Sequence, residues 1–264
     1  MKAMKKNVTV GSLVLGSMML SVNAVHAASD NGNSACSQLP SQAALKAALT
    51  TARQAANGGF NLDMWGTIVD RDGIVCAVAF TGADRGSQWP GSRVISAQKA
   101  NTANSFSLPN LALSTANLWA PVQPGGSLYG LQHSNPVDTD SAYQSPSSNF
   151  GQPNDPLVGQ KPGGVNVFGG GLALYNSAHV LVGGIGVSGD TSCADHNIAW
   201  RTRHTLNLDF VPGGVSGVAG RADNINYEGL VPVPSLANDF SHPICRIAGV
   251  DNVSAISAAL PITQ

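Results

Sequence analysis

The residues best able to do chemistry in this sequence are its histidines, since imidazole is an acid/base group near neutral pH and a common ligand of iron and zinc. Two of them stand in informative settings. His133 lies in a loop segment with Tyr129 and apolar side chains that can cover a flat ligand. His196 lies beside a glycine-rich turn, at the predicted start of a helix. Both are therefore candidate ligands of a metal or of a metal-bearing cofactor.

The glycine-rich turn itself, residues 184–189, reads Gly-Ile-Gly-Val-Ser-Gly and matches the GxGxxG pattern of dinucleotide-binding folds. That pattern belongs to a strand-helix-strand unit in a parallel sheet, whereas the strand here is the second arm of a predicted hairpin. One alternative is a glycine-rich strand end that packs against a helix. Another is an anion site, in which backbone N–H groups near Ser188 and Gly189 bind a carboxylate.

Asp195 and His196 form a candidate catalytic pair. A carboxylate and an imidazole can act as acid and base when their pKa values are tuned to the reaction. Cys193 and His196 are also three residues apart on one helical face, which is a reason to consider zinc. The zinc interpretation fails if Cys193 is in a disulfide, because a disulfide sulfur is not a thiolate ligand.

The four cysteines are an even set without any CxxC spacing. In an exported chain such a set predicts two disulfides, and three pairings are open. We favour Cys36 with Cys76, which would fasten the first helix. Cys193 would then pair with Cys245 and fasten the C-terminal tail.

The first 27 residues are typical of a signal peptide. Three lysines precede an apolar stretch, and Val25 and Ala27 fit a cleavage site. Cleavage would leave residues 28–264 as a single domain, and its net charge would change from −1 to −4 because three lysines and no acids are removed. We expect a periplasmic or secreted protein with no stable membrane span after cleavage. The acidic balance offers no basic face for nucleic acid.

Hydrophobic periodicity and turn residues predict the elements that must position these side chains. Helical spacing follows candidate N-caps at Ser41, Ser92 and Thr191, and an Asp-Gly turn marks the first of two hairpins. The predicted elements are a helix from Ser41 to about Ala55, strands Asp63–Asp70 and Ile74–Phe80, a helix from Ser92, a further turn or two over Leu111–Trp119 ended by Pro121, strands Val165–Tyr175 and Ala178–Val187, and a helix from Thr191 to about Leu206. This order indicates an α+β fold with helices packed against a central antiparallel sheet.

Two long segments fit no regular element. The stretch from Pro121 to Gly164 is rich in Pro, Gly, Ser, Asn and Gln, and with its flank it forms a predicted loop insertion over 118–164. Loops of that length are usually functional or disordered. An irregular, Pro-punctuated tail is predicted over 207–264.

Three segments together resemble the GlcG/HbpS-like haem-binding family. They are the first hairpin over 63–80, the Lys-Ala-x-Thr-Ala run within Ser96–Ala103, and the glycine-rich stretch from Gly163 through Gly189. The resemblance extends from Ala43 to Leu206. It implies a profilin-like fold, assembly into homo-oligomers, and binding of haem or a related tetrapyrrole.

The chain departs from that family after the Val-Ser-Gly turn, where only Asp195 keeps an acidic position. The long insertion and the cysteine-bearing tail are absent from short family members. The ligand of the haem iron is therefore assigned from chemistry, to His133 or His196. Tyr129 would cover the ligand, and the turn at Ser188 and Gly189 would meet its propionates.

We expect an exported haem-binding protein that acts as a carrier, a buffer or a sensor partner. The alternative is an extracytoplasmic enzyme that acts on a small metabolite or degrades haem, with Asp195 and His196 as its acid/base pair. A third alternative is an oligomeric scaffold whose glycines serve only packing and whose insertion forms interfaces.

Overall fold

Helices alternate with strand pairs along the chain, for which the computed structural model describes residues 34–228 and 239–264. Within these ranges no helix has both the length and the apolar character needed to cross a bilayer. The predicted signal peptide, residues 1–27, lies outside the described residues. The helices are α1 (Ser34–Ser37), α2 (Gln42–Gln54), α3 (Ser92–Ser105), α4 (Leu131–Ser134), α5 (Thr139–Ala142), α6 (Ser192–Thr205) and α7 (Ser254–Ala258). The strands are β1 (Trp65–Asp70), β2 (Val75–Phe80), β3 (Gly171–Tyr175), β4 (Leu181–Ser188), β5 (Arg246–Ile247) and β6 (Val250–Asp251).

The central sheet has four strands in the order β2-β1-β4-β3, and every neighbouring pair is antiparallel. This confirms the predicted α+β class and both predicted hairpins. It also excludes the dinucleotide interpretation of the GxGxxG motif, which needs a parallel sheet. The second hairpin starts later than predicted, at Gly171 instead of Val165, because Gly169 and Gly170 pass directly over α6 and the end of β4.

Two of the three long helices begin where their predicted caps lie. The Ser41 hydroxyl accepts a hydrogen bond from the Ala44 N–H at 3.3 Å, and the Thr191 hydroxyl accepts one from the Ala194 N–H at 3.3 Å. The third, α3, is capped by Gly91 and not by Ser92, which is its first helical residue. The residue predicted to cap it is thus one position inside the helix.

The sheet is covered on both faces. α2 and α6 pack on one face over a core that includes Leu45, Ile185 and Ile198. α3 lies on the other face, so close that a Cβ at Gly186 would come within 1.9 Å of the Ser96 carbonyl oxygen. Since side chains alternate along a strand, the glycines of β4 clear a path for α3 while the residues between them fill the opposite core.

The stretch Leu111–Trp119 forms no regular helix, but the predicted turn or two is present at its end, where the N–H groups of residues 117–119 each donate to the carbonyl three positions earlier. Ser114 donates to the Asn117 side-chain oxygen at 2.8 Å, and Asn117 in turn donates to the Asn224 carbonyl at 3.0 Å. Such local side-chain hydrogen bonds replace helical ones. Pro121 does not end a helix either, because it lies inside a short 3-10 turn, Ala120–Val122.

The insertion and the tail are both more ordered than predicted. The insertion carries α4, α5 and a 3-10 turn at Ser147–Asn149. The tail carries the β5-β6 pair and α7, and it buries Val253 and Leu260 completely. Both long segments therefore add buried surface to the core that the sheet and its helices form.

Candidate functional site

His196 is buried inside the molecule, near the start of α6. Its Nε2 lies 3.1 Å from the Asn224 side-chain oxygen and 3.2 Å from the Ile225 amide nitrogen. Its Nδ1 is buried and has no hydrogen-bond partner among the described residues. Burial lowers the pKa of this imidazole to about 3, so the ring is neutral at physiological pH. A haem iron could reach Nε2 only after the tail residues that cover it had moved.

Asp195, the neighbouring candidate, faces a different partner. Lys99 Nζ donates to its Oδ2 at 2.7 Å and to the Val187 carbonyl at 3.0 Å, while the Asp190 N–H donates to its Oδ1 at 2.8 Å. Burial raises the pKa of Asp195 to about 6 and lowers that of Lys99. Asp195 and His196 are 1% and 0% exposed, so the two predicted acid/base groups are shielded from solvent and bonded to other partners.

Ser188 and Gly189 lie at the end of β4, where the anion site was predicted. Ser188 is buried and pairs with Trp65, and a Cβ on Gly189 would come within 2.3 Å of the Asp63 carbonyl oxygen. The amides that follow are already bonded to carboxylates of this chain, since the Thr191 N–H donates to the Asp190 side chain at 2.5 Å. The turn is thus satisfied internally.

His133 and Tyr129 lie at the surface of the insertion. His133 belongs to α4 and is exposed, and Tyr129, just before that helix, is 68% exposed. The structure therefore puts the two candidate iron ligands in opposite surroundings, with His133 in solvent and His196 in the interior.

The described residues also enclose a cavity of about 640 Å³ between the start of β1, the loop before α3 and the insertion. Such a volume lies in the range of cofactor pockets, roughly 300–1,000 Å³. The residues that line it are Trp65, Asp84, Arg85, Gly86, Pro90, Gly91, Tyr143, Ser147 and Phe150. Three aromatic side chains offer surface for a flat ligand, and Arg85 offers a cation for an acidic group, next to the Asp84 carboxylate.

A buried ion pair holds the aromatic wall of this cavity. The Arg93 guanidinium lies over the Phe150 ring at 3.6 Å from its centroid, and its Nε donates to Asp155 at 2.9 Å. Arg93 and Asp155 are 1% and 2% exposed. Phe150 is therefore fixed against α3 by a cation that the insertion itself neutralises.

The cavity fits the body and the acid groups of haem, and its iron ligand has to be oxygen. No lining residue is a histidine, a cysteine or a methionine. Tyr143 is 61% exposed and offers a phenolic oxygen, the type of ligand that catalases use. Arg85 is the cation available to a propionate.

Sequence reasoning missed this cavity, although a signal was present. Tyr143 and Phe150 are aromatic residues in a segment otherwise poor in apolar side chains. Trp65 reads as an ordinary strand residue, and nothing local predicts that it meets them. The aromatic residues of the insertion, and not only its histidine, are therefore the sequence feature that indicates this cavity.

The predicted disulfide pairing is confirmed. Cys36 bonds to Cys76, and Cys193 bonds to Cys245. The zinc interpretation of Cys193 with His196 therefore fails in the oxidised protein. The second disulfide brings the tail onto the start of α6 and places His242 beside it, because the Ser192 hydroxyl lies 3.2 Å from the His242 Nε2 and 3.4 Å from the Cys245 sulfur.

The fold and the cavity thus identify this protein as an α+β domain with a pocket for a flat ligand. The chain belongs to the HbpS-like family, since the profile described as "Haem degrading protein HbpS-like" matches residues 39–203. This confirms the resemblance seen in the sequence. No curated protein matches the chain significantly.

Several solved structures are similar to this chain. PduOC in a complex with haem is 23% identical with a TM-score of 0.44, covering 63% of this chain and 91% of that chain. Protein ORFY of Klebsiella pneumoniae is 24% identical with a TM-score of 0.42, covering 63% and 90%. HbpS is 17% identical with a TM-score of 0.39, covering 64% and 90%.

Proposed function

We propose that this chain is an exported haem-binding protein that serves as a carrier or buffer, and that it binds haem in the aromatic cavity between β1 and the insertion. Membership of the HbpS-like family supports haem as the ligand. The observation that carries the choice of site is the set of three aromatic side chains with Arg85 around one cavity.

Each lining residue has a distinct task in this proposal. Phe150 would contact an apolar face of the ring, and the buried Trp65 would support the wall behind it. Arg85 would donate charge-assisted hydrogen bonds to a propionate. Tyr143 would offer its phenolic oxygen to ferric iron. Bound haem would supply an iron centre whose ligand field is visible in its absorption spectrum.

The two histidines predicted from the sequence remain alternative ligands of the haem iron, and the same experiment tests them. His133 is accessible and can ligate iron from the surface of the insertion. His196 would require the tail to open first, because the Asn224 side-chain oxygen and the Ile225 N–H lie 3.1 and 3.2 Å from its Nε2 and cover it. The enzymatic alternative gains no support from Asp195, which is engaged with Lys99.

The test is a haemin titration of the mature protein, residues 28–264, followed in the Soret and visible bands. We expect a saturable, stoichiometric change. Tyr143→Phe should remove the phenolate-to-iron charge-transfer band and shift the Soret maximum. Arg85→Ala should weaken binding by up to about fivefold, the effect of losing a solvent-exposed ion pair.

Tyr129→Phe is the matched control, since Tyr129 is a similarly exposed tyrosine of the insertion that does not line the cavity. It should leave the spectrum and the affinity unchanged. A broad, non-saturating response would overturn haem binding itself. A normal spectrum for Tyr143→Phe, together with loss of the Soret shift in His133→Ala, would move the site to His133.

A further inference from the structure

A second set of ligand-type side chains lies where the tail meets the start of α6, apart from the residues of the aromatic cavity. The sulfurs of Cys193 and Cys245 and a ring nitrogen of His242 all lie within 4.8 Å of one another. Cys193 is 0% exposed and His242 is 2% exposed, while Cys245 is only partly buried. Two sulfurs and one imidazole are the donors of many zinc sites.

His242 is oriented as a metal ligand. Its Nδ1 lies 2.7 Å from the Pro243 carbonyl oxygen, which can only accept, so Nδ1 carries the hydrogen. The lone pair is then on Nε2, where it accepts from the Ser192 hydroxyl at 3.2 Å. Metal-binding histidines nearly always donate their other N–H to a carbonyl or a carboxylate in this way.

We propose that reduction of the Cys193–Cys245 disulfide converts this cluster into a zinc site with two thiolate ligands and His242. The reductant is a dithiol. One of its thiolates attacks the accessible Cys245 sulfur, Cys193 leaves as a thiolate, and the second dithiol sulfur displaces Cys245. Two electrons and two protons pass to the protein thiols, and the dithiol becomes a disulfide. Zinc then displaces the two thiol protons.

The position of Cys193 favours both the reduction of the disulfide and the binding of zinc. It is the second residue of α6, a helix of 14 residues, and a helix N-terminus stabilises a thiolate. Ligand atoms on one tetrahedral zinc lie roughly 3.5–3.8 Å apart, given bond lengths of 2.1–2.3 Å. The three donors lie within 4.8 Å of one another, and the two sulfurs, now bonded to each other, would separate to that spacing once the disulfide is reduced. The fourth position is open to water or to the Ser192 hydroxyl.

The other disulfide supplies an internal control. Beside Cys36 and Cys76 the third donor is Asp70. Its Oδ1 already accepts from the Asp72 and Ile74 amides at 2.9 Å each. A carboxylate oxygen held by two backbone amides is a poorer zinc ligand than an imidazole nitrogen whose only partner in the described part of the chain is a rotatable hydroxyl, that of Ser192. We therefore expect metal binding at the tail and not at this pair.

The experiment uses the mature protein, oxidised or reduced with a dithiol that is then removed under anaerobic conditions, with Co²⁺ as the probe and Zn²⁺ as competitor. The reduced protein should bind one Co²⁺ with sulfur-to-cobalt charge-transfer bands and tetrahedral d–d bands, and Zn²⁺ should displace it. Cys36→Ser with Cys76→Ser should keep this signal. Cys193→Ser with Cys245→Ser should abolish it.

The decisive variant is His242→Asn, which keeps a polar side chain but lacks the imidazole. Its Co²⁺ affinity should fall at least about tenfold, because losing a ligand exceeds the effect of losing a partner of a ligand. Equal affinity in His242→Asn and wild type would mean that unstructured thiols bind the metal, and it would overturn the proposal. So would equal signals from the oxidised and reduced proteins. Haemin binding by the oxidised protein is a separate readout, so either proposal can fail alone.

Discussion

At the scale of single residues, the interior of this protein holds two neutral histidines. His196 and His242 are 0% and 2% exposed, and their pKa values are lowered from 6.5 to about 3 and about 4. The unfolded chain would protonate both rings below pH 6.5. Between that pH and the folded-state values the unfolded state binds more protons, so the histidines make the protein less stable as the pH falls.

A comparison of wild type with His196→Asn isolates this effect. Between pH 7 and pH 4.5 the wild type should lose about 2 to 3 kcal/mol more of its unfolding free energy than the variant, at 1.36 kcal/mol per pH unit over two units. Asp195, whose pKa is raised to about 6, opposes the trend in both proteins and cancels. Urea unfolding at the two pH values measures the difference.

His179→Asn is the control, since His179 is exposed and its positive φ of 57° is one that Asn accepts. It should keep the wild-type pH dependence. If His196→Asn does not fold, the NMR titration of His196 in the wild type decides, and a ring that protonates near pH 6.5 would contradict the prediction.

The sequence predicts residues well where their chemistry is local and poorly where it depends on distant partners. The cysteines, the caps at Ser41 and Thr191 and the glycine turn were all found. The sequence around His196 does not predict that the Asn224 side-chain oxygen will lie next to its Nε2. His242 lies beside Cys193 because Cys193 is disulfide-bonded to Cys245, 52 positions away in the sequence. The residues around His242 in the sequence therefore do not predict its role.

At the scale of elements, the packing of α3 on the sheet depends on glycines. A Cβ at Gly186 would come within 1.9 Å of the Ser96 carbonyl oxygen and 2.5 Å of the Ala100 amide nitrogen. Both are backbone atoms of a helix and cannot move aside alone. The Thr67 and Ser96 hydroxyls, 2.7 Å apart, tie the same helix to β1.

Gly186→Ala should therefore destabilise the protein by about 3 kcal/mol or more, at the upper end of the usual effect of overpacking. Gly91→Ala is the matched control. Gly91 has φ −63° and ψ −25°, and a Cβ there meets nothing within 4 Å, so the change should be neutral or stabilising by up to about 1 kcal/mol. Urea denaturation of both variants checks the pair, and equal midpoints would refute this account of the packing.

Hydrophobic periodicity predicted the long helices and both hairpins, because apolar residues recur on one side of each helix or alternate along each strand. At Leu111–Trp119 it indicated only a turn or two, and there Ser114 and Asn117 exchange the reciprocal hydrogen bonds of a helix start without a regular α-helix following. It failed in the insertion, whose short helices carry too few residues to have a period. The aromatic cavity was missed for that reason, since two of its walls belong to this segment.

At the scale of the whole molecule, three buried ion pairs connect segments that are distant in sequence. Lys99 pairs with Asp195 and joins α3 to α6. Arg93 pairs with Asp155 and joins α3 to the insertion. Arg203 donates to Asp223 at 2.9 Å and joins α6 to the tail. Each pair is nearly inaccessible to solvent, so loss of one partner leaves a charge stranded in the interior.

Arg93→Met should lower the free energy of unfolding by about 3 to 5 kcal/mol, because Asp155 would remain buried without its cation. Arg53→Ala is the comparison. Its ion pair with Asp63 is 22% and 32% exposed in side chain and contributes about 1 kcal/mol or less, and the two hydrogen bonds that Arg53 donates to Asn61 add roughly 0.5 kcal/mol each, so its effect should stay below that of Arg93→Met. Urea unfolding measures both variants. Limited proteolysis of Arg93→Met should cut first within the insertion, and cleavage elsewhere would argue against its role in docking.

The insertion and the tail also contact the two edge strands of the sheet. The Val75 N–H of edge strand β2 donates to Gln160 in the insertion at 2.9 Å, and the Tyr175 N–H of edge strand β3 donates to Leu208 at the start of the tail at 2.9 Å. An unpaired sheet edge is a template on which other chains can add strands and aggregate. Here each edge strand already forms a hydrogen bond with another segment of the same chain. Strand addition by another chain is therefore hindered at the positions where Gln160 and Leu208 already bond the edge strands.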